Sequence, residues 1–358
     1  MDIINYIKHI ENFSINYKPK KSKILIYDAL SVKYAKNLFK NLPMTVFHTR
    51  YEGLSIYILF KTFFEKGFSN FVENYKKNFF LFVNPKIIFS AIDNNIGFFK
   101  LKLFYPYSTY IADQNGMRNN EFYFQCKKYL QSKKSNKLYS DYFFCFGENE
   151  KKRLKKIISS KIYPLGKTLN NSNKSNAIKK FILKNIIFIS SLNLDVFPVD
   201  LKAFNYLIKI CLKKKIKLYY IDRVKMNNFD LLKKNTINDS YIYIKNKHVD
   251  PNMKKFSKDS VFLFSHSTFG YELLSRGFRV GSFNNNHIEH FIKKKYPNSG
   301  PFWQNSVTLD SLNKLILKIE NYSSIEWKRI VKKYSKELLV YDSDNISKKK
   351  IINKVLYK

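Results

Sequence analysis

The amino-acid sequence predicts an α/β protein with two Rossmann-like domains, each built on a mostly parallel sheet. Short β-branched or aromatic runs alternate with amphipathic stretches from about residue 23 onward, as in a parallel sheet that helices cover on both faces. This alternation stops once, at the polar, Asn- and Ser-rich residues 167–180, and then begins again. A length of 358 residues is also that of about two domains.

In the first half, each strand is predicted from a short apolar run, and each helix from apolar residues at helical spacing. The predicted strands span residues 23–29, 44–48, 86–92, 108–113 and 141–146. The predicted helices span residues 31–40, 53–77, 119–131 and 148–159. The polar stretch at 167–180 is then interpreted as a linker.

The second half repeats the pattern, with predicted strands at residues 185–191, 217–222, 241–245, 261–265 and 279–283. Asp200 is predicted to cap a helix whose apolar stripe runs from Leu201 to Cys211. Further helices are predicted at 269–276, 310–320 and 323–339. The predicted organisation is therefore a domain at 1–175, a second domain at 176–340 and a basic C-terminal tail at 341–358.

The net charge of +38, from 65 Lys and Arg against 27 Asp and Glu, suggests a polyanionic partner such as nucleic acid or an anionic membrane. Only seven of the 65 basic residues are Arg, and Asn, Ile, Phe and Tyr are over-used as much as Lys. Because Arg is the better reader of phosphates and bases, this bias indicates compositional drift more than a selected patch. Nucleic acid is therefore not the expected partner, whereas attachment to an anionic membrane surface is compatible with the charge.

Cysteine and histidine spacing predicts neither a disulfide framework nor a metal site. Cys126, Cys145 and Cys211 lie in apolar or amphipathic runs, which predicts buried thiols in a reducing compartment. The N-terminus lacks the apolar core of a secretory signal, and no apolar run reaches the roughly 20 residues of a membrane helix. We therefore expect a cytoplasmic protein without metal or cofactor, a location that leaves room for peripheral attachment at the inner membrane.

Ligands of open parallel sheets bind beyond the carboxyl ends of the strands, so the residues just after each strand are the candidates for a site. The clearest segment is 261–277, where a strand runs into His266, Ser267 and Thr268 and then into a helix. Hydroxyls and free N–H groups at a helix start bind anions, and Glu272 could accept hydrogen bonds from sugar hydroxyls. The alternative is a simple helix cap beside an exposed acid.

Two strand ends in the first half carry similar candidates. Residues 111–118 end in Asn115, Gly116 and Arg118, which could hold an anion, or could form an ordinary Asn-Gly turn with a surface Arg. Asp93 and Asn94 follow another strand, where Asp93 could act as general base or either residue could cap a helix. Weaker candidates are Arg50, which could line the acceptor side of a cleft or simply lie in a surface turn, and Ser190, Ser191 and Lys247 on the donor side.

Five segments in order carry a resemblance to a known family: AIDNNIGF, IADQNGMR, DYFFCFGENE, YPLG and FSHSTFGYELLSRG. Together they resemble the bacterial surface carbohydrate biosynthesis family and, more broadly, the two-domain glycosyltransferases with the GT-B fold, over residues 20–290. The resemblance implies two domains that face a central cleft. It also implies transfer of a sugar from a nucleotide-activated donor, a co-substrate, to a lipopolysaccharide, capsule-like or lipid-linked glycan.

The same resemblance implies roles for the candidate residues. The second half would bind the donor through Ser267, Thr268 and Glu272, and the first half would hold the acceptor near Asp93 and Arg118. The segments that carry the resemblance contain no DxD motif, which agrees with a metal-independent reaction, in which hydroxyls, His266 and Lys247 stabilise the leaving phosphate. Asp93 would then take the acceptor proton if the configuration inverts.

Two alternatives to the glycosyltransferase remain open from the sequence. The first is a sugar-nucleotide epimerase or hydrolase on the same scaffold, because a fold does not determine a reaction; free sugar released without an acceptor would favour it. The second is a basic protein that binds nucleic acid or membranes. A steep salt dependence with sequence preference would favour nucleic acid.

Overall fold

The computed structural model describes residues 14–50, 53–132, 137–176, 181–190, 198–222, 228–244, 256, 258–265, 267–283 and 298–357. The chain divides into two compact units. The first unit comprises Met1–Ser172 together with Asp342–Lys358, and the second comprises Asn173–Tyr341.

The first unit contains a six-stranded parallel sheet. The strands of this unit are β1 (Ser14–Asn16), β2 (Ile24–Tyr27), β3 (Met44–Phe47), β4 (Gly53–Ser55), β5 (Ile87–Ser90), β6 (Thr109–Asp113), β7 (Tyr139–Cys145) and β8 (Ser159–Pro164). The large sheet has the order β3-β2-β5-β6-β7-β8, and β1 pairs with β4 in a separate two-stranded sheet. All of these pairs are parallel.

Helices cover both faces of this sheet. They are α1 (Val32–Phe39), α2 (Ile56–Lys66), α3 (Phe71–Val83), α4 (Ile96–Phe104), α5 (Asn120–Ser132), α6 (Glu148–Leu154) and α7 (Thr168–Asn171). Alternate residues of β2 enter different cores: Leu25 and Tyr27 join one cluster, whereas Ile24 and Ile26 join the other. This alternation follows from the two-residue period of a strand, and it explains why the strand reads as a continuous apolar run.

The second unit contains another six-stranded parallel sheet. Its strands are β9 (Asn185–Ile189), β10 (Lys217–Ile221), β11 (Ile242–Ile244), β12 (Ser260–Phe264), β13 (Val280–Phe283) and β14 (Trp303–Gln304). Their order, β11-β10-β9-β12-β13-β14, is the 3-2-1-4-5-6 order of the dinucleotide-binding fold. The helices are α8 (Pro198–Lys214), α9 (Phe229–Asn235), α10 (Thr268–Ser275), α11 (Leu309–Asn321) and α12 (Ser324–Leu338).

The predicted fold class is confirmed: each unit is α/β, with a parallel sheet. Every strand predicted from an apolar run is present, whereas the strands β1, β4, β8 and β14 and the helices α4 and α9 were not predicted. The helix predicted over 53–77 is a strand followed by two helices, because Gly67 at φ 56° ends α2. The three cysteines are free and buried, as expected. None of the described helices has the length and apolar character that a membrane span requires.

The polar stretch at 167–180 is not simply a linker. Residues 168–171 form α7, in which Thr168, Asn170 and Asn171 are buried. The Asn171 side chain donates to the Leu165 carbonyl at 2.8 Å and accepts from the Asp342 amide at 3.1 Å. The Asn side chains therefore bond backbone groups where the chain leaves and re-enters the first unit; residues 177–180 lie outside the described range.

The prediction of a basic C-terminal tail at 341–358 is wrong as well. Residues Ile346–Leu356 form a further helix, α13, that belongs to the first unit. Ile352, Val355 and Leu356 join its core because they lie at helical spacing between the lysines. The lysine run hides this amphipathic stripe in the sequence.

Lys348 of α13 lies in a fully buried ion pair with Asp113, the last residue of β6. Its ammonium group contacts Asp113 Oδ1 at 2.6 Å and donates to the Gly166 carbonyl at 2.8 Å, and the Thr168 hydroxyl donates to Asp113 Oδ2 at 2.6 Å. Both ion-pair side chains have 0% exposure. The pair therefore anchors the end of the chain to the carboxyl edge of the sheet.

Replacing Lys348 by Met should lower the free energy of unfolding by about 3–5 kcal/mol, because Asp113 then keeps a buried charge without its cation. The double variant Lys348→Met with Asp113→Asn should recover part of that loss. Urea unfolding followed by circular dichroism measures both effects. Lys350→Met on the exposed face of α13 is the control, and equal stability of the two single variants would contradict a structural ion pair.

Candidate functional site

Polar residues collect at the carboxyl edge of the first sheet. Asp28 follows β2, Ser90 ends β5 and Asp113 ends β6, and all three are buried. The strand order reverses between β2 and β5, and such a switch point opens a crevice in open α/β sheets. The Ser31 hydroxyl accepts from the Ala91 amide at 2.9 Å across this point.

Arg50, predicted on the acceptor side, is held by a buried carboxylate. Asp28 adopts φ 84°, which is uncommon for a residue other than Gly. Its Oδ2 accepts from the Thr49 hydroxyl at 2.8 Å and from Arg50 Nε at 3.1 Å. The Arg50 side chain is 49% exposed, so it presents a fixed cation beside the switch point. The sequence analysis placed Asp28 within a strand and missed it as a site residue.

Asp93 and Arg118, predicted at two different strand ends, form one ion pair. Arg118 Nε donates to Asp93 Oδ2 at 2.8 Å, and Nη2 donates to Asp93 Oδ1 and, at 2.7 Å, to Asn115 Oδ1. The Asn115 amide also donates to Asp93 Oδ1 at 3.1 Å. The Arg118 side chain keeps 12% exposure while that of Asp93 has 1%. Both carboxylate oxygens of Asp93 are thus engaged.

The neighbouring candidates Asn94 and Gly116 take no part in this ion pair. Asn95 caps α4 by accepting from the Gly97 amide at 2.9 Å, so neither Asp93 nor Asn94 is the cap. Asn94 is exposed. Gly116 accepts a hydrogen bond from Gln114 Nε2 at 3.0 Å through its carbonyl. A Cβ at Gly116 would meet nothing closer than 3.7 Å, so this position does not require glycine.

Glu150 of α6 is a buried acid that the sequence analysis did not single out. Among the residues that the structure describes, none makes a hydrogen bond of normal geometry to its carboxylate oxygens, but the Gln114 side-chain amide lies close enough to lower its pKa. Burial raises the pKa of Glu150 to about 7; the charge of Arg153 opposes this shift and that of Asp93 adds to it. Arg118 is close enough to lower the pKa as well. Glu150 therefore stands beside the Asp93–Arg118 pair as a group that titrates near neutral pH.

A cavity of ≈ 310 Å³ lies along β3 in the first unit. Tyr75 and Phe79 of α3 form an aromatic wall, and Lys18 and Lys20 add cations. Its size is at the lower end of small-molecule sites. None of the predicted site residues lines it, because the sequence analysis considered only residues that follow strands.

In the second unit the strand order reverses between β9 and β12. Ser190 follows β9 and Ser265 follows β12, and both are buried. The Ser265 hydroxyl donates to Asp200 Oδ2 at 2.9 Å. Asp200 is not the cap predicted from the sequence, since α8 begins at Pro198 and Asp200 lies in its first turn. The switch point of this sheet is therefore lined by Ser190, Ser265 and Asp200.

The helix α10 begins immediately beyond β12. Ser267 caps it by accepting from the Phe269 amide at 3.3 Å, and Thr268 is its first residue. Glu272 is only 5% exposed, which excludes the alternative of an ordinary exposed acid. A Cβ at Gly270 would lie 2.2 Å from the Phe264 ring, so only glycine allows α10 to pack this closely on β12. These features hold the start of α10 against the sheet.

Three predicted donor-side residues, Ser191, Lys247 and His266, lie outside the described residues. Over the part of the chain that is described, no cluster of three or more His, Cys, Asp or Glu side chains could hold a metal ion. The site therefore consists of two groups, each described within its own unit: Asp93, Arg118 and Glu150 in the first, and Ser190, Asp200, Ser265, Ser267, Thr268 and Glu272 in the second.

Residues 194–356, less than half of the chain, match the model of a family described as "putative O-antigen biosynthesis protein". An O-antigen is a bacterial surface carbohydrate, so this match agrees with the resemblance seen in the sequence motifs. No curated protein matches the sequence.

Solved structures of two UDP-GlcNAc 2-epimerases and of a sucrose-phosphate synthase are similar along nearly the whole chain. A UDP-GlcNAc 2-epimerase from Neisseria meningitidis aligns with a TM-score of 0.55 at 13% identity, over 96% of this chain and 100% of that chain. The Methanocaldococcus jannaschii UDP-GlcNAc 2-epimerase gives 0.52 at 12%, with the same coverage. Sucrose-phosphate synthase from Thermosynechococcus elongatus gives 0.51 at 10%, over 96% and 99%. The fold is GT-B-like.

The raised pKa of Glu150 predicts a stability that depends on pH. Between its usual value of 4.5 and about 7 the folded chain binds more protons than the unfolded chain, so the free energy of unfolding falls as pH rises through this window. The full fall is about 3 kcal/mol, at 1.36 kcal/mol per pKa unit. Urea unfolding at pH 5–8 should show this slope in the wild type and lose it in Glu150→Gln. Glu148→Gln, in the same helical turn, is the control and should keep the wild-type slope. If the free energy of unfolding of Glu150→Gln falls with pH as steeply as that of the wild type, the slope does not come from Glu150.

Proposed function

We propose that this protein is a glycosyltransferase that moves a sugar from a nucleotide-activated donor to a surface-glycan acceptor, without a metal ion. The observation that carries the proposal is the buried Glu150 carboxylate beside the Asp93–Arg118 ion pair, at the carboxyl edge of the first sheet. The GT-B-like fold and the O-antigen family match support this class of chemistry.

The donor belongs to the second unit in this proposal. Its sheet has the strand order of nucleotide-binding folds, with Ser190 and Ser265 at the switch point. The hydroxyls of Ser267 and Thr268 and the amides at the start of α10 would bind the diphosphate, since helix starts favour anions. Glu272, one turn further on, would accept hydrogen bonds from the ribose, and Lys247 and His266 keep their predicted role at the leaving phosphate.

In this proposal the acceptor binds to the first unit. A base in that unit must take the proton from the acceptor hydroxyl. The sequence analysis assigned this role to Asp93, but protonating Asp93 would break its two-point contact with Arg118. Glu150 has no such contact, and a pKa of about 7 suits a general base at neutral pH. We therefore assign the proton to Glu150 and give Asp93 the role of positioning Arg118.

The proposed transfer forms one bond, breaks one bond and moves one proton. The acceptor oxygen forms a bond to the anomeric carbon, and the bond from that carbon to the donor phosphate breaks through an oxocarbenium-like transition state. The phosphate leaves with the electron pair, and the acceptor proton moves to the Glu150 carboxylate. Because Glu150 is fully buried, the proposal requires the partly exposed residues 115–118 to open when the acceptor binds.

Thermal unfolding of the full-length protein with UDP-, GDP-, TDP- and CMP-linked sugars tests the donor, since a ligand of the folded state raises the apparent Tm. With the donor found and a lipid-linked glycan as acceptor, Glu150→Gln should lower turnover by about 10²–10⁴-fold and keep the donor-induced rise in Tm. Wild-type turnover should increase with pH through about 7 and persist in EDTA. Glu148→Gln should stay close to the wild type.

Different failures separate the parts of the proposal. If Asp93→Asn loses turnover and Glu150→Gln keeps full turnover, the general base is Asp93 and not Glu150. No rise in Tm with any nucleotide sugar would overturn the transferase. Free sugar or an altered nucleotide sugar formed without acceptor would favour the epimerase or hydrolase, an alternative that the similarity to UDP-GlcNAc 2-epimerase structures keeps in view.

A further inference from the structure

The turn between α2 and α3 exposes a large apolar surface. Its exposed side chains are Phe60 (54%), Phe63 (42%), Phe64 (80%), Phe68 (80%) and Val72 (65%). We call these five residues the aromatic hairpin tip. Of the six exposed Phe residues among those described, four lie in this tip, so the exposed aromatic residues are clustered and not scattered.

The rings of the tip contact one another. Centroid distances are 6.4 Å for Phe60 and Phe64, 5.8 Å for Phe63 and Phe64, and 5.1 Å for Phe63 and Phe68. Phe60, Phe63 and Phe64 share one face of α2 by their i, i+3 and i+4 spacing, and Gly67 turns the chain so that Phe68 joins them. Contiguous apolar patches of this kind on soluble proteins mark interaction sites.

The core of the first unit does not use these side chains. α2 turns Ile58 and Thr62 inward, and α3 turns Phe79, Phe80 and Val83 inward. These buried residues attach the hairpin to the rest of the unit, whereas the tip side chains are 42–80% exposed and belong to neither core cluster. A partner is therefore needed to explain the patch.

The charge around the tip identifies that partner. The segment from α2 to α3 carries Lys61, Lys66, Lys76 and Lys77 against Glu65 and Glu73, in a chain of net charge +38. A second copy would bring like charges together, whereas an anionic bilayer supplies the opposite charge to the lysines and an apolar layer to the rings. We propose that the aromatic hairpin tip docks the protein on an anionic lipid bilayer.

Docking would also orient the cavity of the first unit. Val72, Tyr75 and Phe79 lie at i, i+3 and i+7 on one stripe of α3, and the last two line the cavity beside β3. The stripe thus runs from the tip to the cavity, which would be held close to the lipid headgroups. The inference concerns where the protein binds and holds whichever reaction it catalyses.

Co-sedimentation of the full-length protein with lipid vesicles tests the proposal. Binding is expected to vesicles of phosphatidylcholine with phosphatidylglycerol, to be much weaker to phosphatidylcholine alone, and to fall with added salt. Phe64→Ser with Phe68→Ser should lower the partition coefficient by at least about tenfold, because two Phe side chains then stay out of the apolar layer. Phe124→Ser, which removes a 62% exposed Phe of α5, is the matched control and should bind like the wild type.

Each other outcome would overturn docking by the tip. Absence of binding to anionic vesicles would do so, as would equal binding of the double variant and the control. A dimer in sedimentation velocity that the double variant dissociates, without vesicle binding, would assign the tip to a second copy. A circular dichroism melt confirms that each variant folds, and since no nucleotide sugar is present, failure here is distinct from failure of the transferase.

Discussion

Burial of both faces of the parallel sheets is the constraint on which the rest of the structure depends. A polar group buried without a partner is costly, so strand interiors are apolar and polar side chains are displaced to strand ends. Asp28, Asp113 and Asp222 each stand at the carboxyl end of a strand, and each is buried and bonded; Asp222, for example, accepts from Asn228 and from the Tyr243 hydroxyl at 2.6 Å. The position of the candidate site follows from this rule before any ligand is considered.

Glu150 is an exception among these buried acids, because no ion pair within the described part of the chain compensates its carboxylate. Asp113 is equally buried, yet it is compensated by Lys348 and Thr168. Burial raises the pKa of both acids, but the Lys348 ammonium group and the Thr168 hydroxyl oppose this at Asp113, whereas the pKa of Glu150 rises to about 7. A structural position would be served as well by an apolar residue, whereas an acid that titrates near neutral pH serves proton transfer. The difference in bonded partners between these two buried acids is what favours Glu150 for the proposed proton transfer.

The sequence predicted the strands well because their apolar runs are long enough to stand out, and the strand-end rule located Asp93 and Arg118. It could not show that these two residues form one pair, because the contact joins different strand ends. Glu150 left one unused signal: it precedes Leu154 by four residues, and these are the two buried positions of α6. Asp200 was misplaced because Pro198, at the first helical position, moves the helix start upstream. The lysines of α13 masked its apolar stripe, so the segment was predicted as a basic tail.

The drift in composition toward Lys and Phe acts on the whole chain. The fold then determines which of these residues are buried and which are exposed. Phe is accepted in the two cores of the first unit, and Lys is tolerated at exposed positions, so neither enrichment alone implies a function. A cluster of exposed, touching Phe rings is different, because exposed apolar patches promote association and are normally avoided. Drift explains why Phe was available in α2 and in the turn that follows it, and does not explain why it remained exposed there. In the proposed docking, the net charge of +38 would attract the chain to an anionic surface on which that cluster can be buried.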